Sequence, residues 1–143
     1  MSQNNLGNAA RELGDFTAAR KHYASSLEAY SVYDDHWDLA FLLEDIAVMA
    51  AMTGQGRTAF ELLGAADVMR EEIKSPRNPT LEEELSEKLS AVRQEIGEQQ
   101  AEAAQHRGRQ HSITSASRRG LQFTRESYCQ IWCLGIKSSG DLL

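Results

Sequence analysis

The feature that most narrows the fold of this chain is an internal repeat: its opening segment reappears 40 residues further on. Leu6 falls on Ile46, Gly7 on Ala47, Ala10 on Ala50, Gly14-Asp15 on Gly54-Gln55, Ala19 on Ala59, Tyr23 on Leu63 and Ser26 on Ala66. Each match has a packing reason. Small residues at 7/47, 10/50, 19/59 and 26/66 let two antiparallel helices approach, and the larger residues at 23/63 fill the space beneath them. The glycine at 14/54 supplies the tight turn between the helices. A period of this length marks stacked supersecondary units that bury their apolar faces on one another.

The apolar spacing assigns the helices. One runs from about Asn4 to Leu13 and stops at Gly14. Asp15 sits where an N-cap belongs, and Phe16, Ala19, Tyr23, Leu27 and Tyr30 line one face of the next helix, over 16–33. Asp34-Asp35 breaks that helix, with Asp35 placed to cap its successor. The segment 36–53 is apolar on most of its circumference, apart from Glu44-Asp45, and therefore belongs inside the stack. After the Gly54-Gln55-Gly56 turn, a helix over 57–74 buries Leu62, Leu63, Ala66 and Met69. The stretch 76–79, with a proline at each end, is the clearest boundary. Beyond it Thr80 and Glu83 suit a capping box, and Leu81, Leu85, Leu89, Val92 and Ile96 form one narrow stripe. That helix buries one side only, its other faces carrying Glu82, Glu83, Glu84 and Glu87, so it suits a cap on the stack. An alanine- and glutamine-rich helix over 98–107 follows. The expected class is all-α: two helical hairpins over 1–75, a capping helix and a further helix over 76–109, and a basic, poorly ordered tail over 110–143.

Composition excludes several classes. The 143 residues are 41% hydrophobic, which is too much for a disordered chain. The longest apolar run, 46–52, is far short of the roughly 20 residues a membrane helix needs. Met1-Ser2-Gln3-Asn4-Asn5 resembles no secretory signal, and two cysteines make no disulfide scaffold, so the expected location is cytoplasmic. Residues 1–105 hold 9 basic against 19 acidic residues, and residues 106–143 hold 6 against 2. An acidic body argues against nucleic acid as the partner.

The pattern of Leu6-Gly7, Gly14-Asp15-Phe16, Ala19, Tyr23 and Leu27 resembles the tetratricopeptide (TPR) repeat. The second unit departs from it with Ala47 for the glycine and Gly56 for the aromatic. A period of 40 in place of the commoner length of about 34 resembles the extended TPR-like arrays of bacterial LuxR-type regulators with an ATPase module. That resemblance covers about three quarters of the chain, Asn4 to about Arg109. It implies a TPR-like α-α superhelix that is a non-catalytic protein-interaction module, the sensor arm of a transcriptional regulator, binding a protein or peptide without a cofactor. No G-x-x-x-x-G-K-[ST] loop and no helix-turn-helix is present, so neither ATPase nor DNA reader belongs to this chain. Two repeats and a cap also fit a free-standing adaptor that forms a homodimer through its open N-terminal edge.

By the same resemblance, partner-binding residues lie on the first helix of each unit: Asn4, Asn8 and Arg11, then Glu44, Asp45 and Val48. Glu44 and Asp45 put negative charge where a carboxylate clamp needs a cation, so a basic or polar peptide suits this groove; alternatively, the two acids only solvate an apolar helix. His106, His111, Cys129 and Cys133 have the ligand types for zinc, but the order His-x4-His before Cys-x3-Cys is reversed from the usual one. His22 and His36 offer no catalytic pair, and the chain is not expected to be an enzyme.

Overall fold

The computed structural model describes residues 2–33 and 36–110. They form six helices in the order α1 (Gln3–Glu12), α2 (Phe16–Tyr33), α3 (His36–Met52), α4 (Gly56–Glu72), α5 (Pro79–Ile96) and α6 (Glu98–Arg109), and among the described residues there is no strand. The fold is all-α and TPR-like.

The two hairpins close in the same way. Gly14 and Gly54 take φ values of +80° and +79°, a left-handed conformation that glycine adopts without steric cost. In each turn the next residue's N–H reaches back to the last helical turn, Asp15 to the Ala10 carbonyl and Gln55 to the Ala50 carbonyl. Asp15 then caps α2 by accepting from the Ala18 N–H at 3.1 Å. Within the first hairpin Gly7 lies on the Tyr23 ring, and a Cβ there would meet Tyr23 Cε1 at 2.6 Å. Small-over-large packing of this kind is what the repeat pattern implies.

α3 is the centre of the stack, as its all-round apolar surface requires. It packs against α1, α2, α4 and α5, with Leu39, Ala40 and residues 42–44 and 46–50 buried. Leu85, Leu89 and Val92 seat α5 with its glutamates 82, 83, 84 and 87 exposed. The α5 cap differs from the expected one. Asn78, not Thr80, is the N-cap, accepting from the Leu81 N–H at 2.8 Å, and Pro79 occupies the first helical position. Proline there needs no N–H and brings a φ already helical, so the helix starts two residues earlier than a Thr80 capping box would allow.

The last helix is anchored better than its few apolar side chains suggest. α6 packs most extensively on α4, and a Cβ at Gly64 would lie 2.0 Å from the Gln105 carbonyl oxygen. Reciprocally, a Cβ at Gly108 would lie 1.9 Å from that of Glu61. Backbone meets backbone here, with Ala101 and Ala104 buried beside the crossing. The Asp35 cap, the tail beyond 110 and three of the four zinc candidates, His111, Cys129 and Cys133, lie outside the described residues.

Candidate partner-binding groove

Two polar networks flank α3, and they account for every charged groove residue expected from the sequence. The first joins α1, α2 and α3. Arg11 is 3% exposed, and its guanidinium donates to Tyr23 Oη at 3.2 Å, Asn8 Oδ1 at 3.4 Å and the Asp45 carbonyl at 3.3 Å. The Tyr23 hydroxyl in turn donates to Asn8 Oδ1 at 2.6 Å, and Asn8 Nδ2 donates to Asp45 Oδ2 at 3.2 Å. Asn8 is thereby held on both sides of its amide, which fixes its orientation.

The electrostatics of this network follow from its burial. Burial opposes the Arg11 charge, but its hydrogen bond to Glu12 and the nearby Tyr23 and Asp45 outweigh that and hold the guanidinium above its ordinary value. Burial also pushes the Tyr23 phenol well up. At Asp45 burial raises the carboxyl, and the Asn8 hydrogen bond and the Arg11 charge offset this only in part.

The second network joins α3, α4 and the 73–78 linker. Glu44 is 1% exposed and accepts from Arg70 Nε at 2.5 Å, Arg70 Nη2 at 2.9 Å and Arg77 Nε at 2.6 Å. Arg77 also meets Asp67 at 2.6 Å through Nη1. Arg70 lies over the Phe41 ring at 4.5 Å and donates to the Ser75 carbonyl at 2.9 Å. Burial opposes the charge on Arg77, while Glu44 and Asp67 more than compensate and raise it.

Of the expected groove residues, Asn4 and Asn8 are half-buried and Asp45 keeps 26% of its side chain exposed. Asn8 hydrogen-bonds to Asp45, and Asn4 lies one helical turn from Asn8 on α1, beside the same surface. The other three differ from expectation. Arg11 is buried beneath that surface as its support. Glu44 and Val48 are 1% and 2% exposed, so neither lines an open groove, and Glu44 does not merely solvate α3. An ionised carboxylate inside an apolar helix requires buried cations, and Arg70 and Arg77 are those cations. Sequence reasoning passed over both, although the presence of Glu44 in the most apolar helix was the available signal.

His22 contacts Gln3 at 2.6 Å, and His106 contacts Gln110 at 3.2 Å. Among the described residues no group of His, Cys, Asp and Glu could hold a metal ion, and no helix is long and apolar enough to cross a membrane.

Stacked helical hairpins with a fixed polar surface on the first helices define a helical-repeat scaffold. Residues 1–66 match the family model of the tetratricopeptide repeat, and that match together with the helical fold supports a TPR-like repeat. TPR repeats are a non-catalytic fold that generally mediates protein–protein interaction. No curated protein and no solved structure matches the chain.

Proposed function

We propose that this chain is a protein-interaction module whose docking surface is the part of the groove where α1 meets α3, built on Asn4, Asn8 and Asp45. The observation that carries this reading is the buried Arg11–Tyr23 pair, which holds Asn8 in one orientation at a half-exposed position. A preorganised amide beside a partly exposed carboxylate recognises a peptide with N–H donors and a cationic side chain. On this reading Glu44 and Val48 support the groove from beneath and make no contact with the partner.

The 40-residue period supports a place for the module as the sensor arm of a bacterial cytoplasmic transcriptional regulator, with 1–75 as the repeats and 76–109 as the cap. The test of that placement is the intact mass of the protein in its source cell: a species far above 15.9 kDa fits a sensor arm, and one at 15.9 kDa contradicts it. The test of the surface is a calorimetric titration with a short arginine-containing peptide and its glutamate-substituted counterpart. The arginine peptide is expected to bind, and Asp45→Asn to weaken it about threefold or more, as a partly exposed charge pair would. Equal affinity for both peptides, or no effect of Asp45→Asn, contradicts the reading.

A further inference from the structure

One edge of α3 continues the Asn8 surface in both directions. At 3.6 residues per turn, Trp37, Phe41, Asp45 and Met52 fall within about 80° of the helix circumference. Phe41 and Asp45 are half-buried there, whereas residues 42–44 and 46–50 around them are buried. Trp37 and Met52, 53% and 47% exposed, are two of the three large apolar side chains exposed among the described residues. A single exposed apolar side chain is ordinary, but these two bracket a carboxylate on one edge. Trp37 is also held in place. Its ring meets Phe41 edge-on, with centroids 4.7 Å apart and planes at 65°. Phe41 in turn lies under Arg70, which Glu44 fixes through two hydrogen bonds. An aromatic side chain ordered beforehand loses little freedom when a partner covers it.

The charges along this edge favour a cationic partner. Asp38, Asp45 and Glu12 supply three acids, against Arg11, buried beside Asp45 and Glu12, and Lys88 on α5. Two features select an extended chain over a helix. Asn8 has one amide hydrogen beyond the one it gives Asp45, and an extended chain offers it a free backbone carbonyl, whereas a helix has spent its own. The groove is also narrow. The Arg11 hydrogen bond holds the Glu12 carboxyl below its ordinary range against the effect of burial, and the Lys88 charge adds to the lowering, so α5 comes close to α1 beside this edge.

We propose that this edge takes an extended peptide with one arginine or lysine on Asp45 and an apolar side chain four positions to either side, one on Trp37 and one on Met52. This rests on the assignment of the Asn8 surface above and names its partner. Trp37 and Met52 lie eight and seven residues from Asp45, about 12 Å and about 10 Å along the helix. In an extended chain same-side residues recur every two positions, and four positions span about 13 Å. The long, flexible Met52 side chain takes up the remaining difference.

The probe is a capped nine-residue peptide of serine and glutamine with leucine at both ends and arginine in the middle. It is titrated into the full chain carrying Trp132→Phe, in which Trp37 is the one remaining tryptophan. Trp37 emission is expected to shift saturably to the blue. Moving each leucine one position inward turns both to the opposite side of the peptide and is expected to weaken binding about tenfold or more. Met52→Ala, at an exposed position that leaves the core intact, is expected to weaken it about threefold or more. An absent shift, or equal binding by both peptides and by Met52→Ala, overturns the inference. Asp45→Asn keeps the two proposals apart. If it weakens binding while leucine position and Met52 make no difference, the Asn8 surface stands and the apolar anchors fall. If binding ignores Asp45→Asn as well, both fall.

Discussion

Asn8 and Val48 stand 40 residues apart at the same place in two copies of one motif, as do Asn4 and Glu44. In the first repeat these positions are polar and half-buried, and the hydrogen bonds of Asn8 run sideways to α2 and α3. In the second they are sealed, Glu44 by two arginines and Val48 at 2% exposure. The difference follows from what comes next along the chain. α3 has α5 and the Arg77 linker laid on it, whereas α1 is flanked by α2 and α3. Sequence equivalence within a repeat therefore does not make two positions equivalent in the groove; the neighbouring element decides which of them a partner can reach.

The comparison can be broken most severely at Glu44. Replacing it by glutamine leaves Arg70 and Arg77 buried with too little negative charge, and truncating one member of a buried ion cluster costs about 3–5 kcal/mol. Glu44→Gln is expected to lower the denaturant midpoint by an amount of that order or to prevent folding. A midpoint shift within experimental error would show that the linker is not sealed by this acid. The corresponding cut in the first repeat is Arg11→Met, which keeps volume and removes the donors. Its expected cost is about 1–3 kcal/mol, because Tyr23 and Asp45 retain their bonds to Asn8. If Arg11→Met proved as damaging as Glu44→Gln, the two networks would be energetically alike and the contrast between the repeats would fail.

The smallest effect is expected at Asp45. Because burial holds its carboxyl above the ordinary value, the native state binds more protons than the unfolded state between the two values. Stability from this group is thus highest in acid, falls as pH rises through that window, and stays at its lower level above the raised value. Asp45→Asn is expected to be slightly stabilising at pH 7 and to lose that advantage as pH falls below the ordinary carboxylate range, as pH-dependent denaturation can measure. Together with weaker binding of the arginine peptide, this separates recognition from folding.

Much of this architecture was legible in the residues. The matched pairs 7/47, 14/54 and 23/63 located both hairpins, and the all-round apolar surface of α3 placed it inside the stack. α6 was harder to read because its anchor is the absence of side chains. Gly64 and Gly108 allow the backbones to touch, and a hydrophobicity pattern assigns no weight to glycine. The candidate surface was legible only in part. Asn4, Asn8 and Asp45 do share a surface, but the burial of Glu44 depends on Arg77, which lies 33 residues away in a linker that local pattern marks only as a break. Long-range charge pairing has no periodicity, so spacing rules cannot expose it.

The contrast between Asn8 and Val48 can be measured without knowing the partner. With Cys129 and Cys133 changed to serine, Asn8→Cys and Val48→Cys are each labelled by a thiol reagent under native conditions. The half-exposed position is expected to react at nearly the rate of the unfolded chain. The sealed one, which must await local opening, is expected to react at least about a hundredfold more slowly. Similar rates at the two positions would mean that Val48 is as open as Asn8, and would contradict a docking surface built on Asn4, Asn8 and Asp45 that leaves Val48 sealed beneath it.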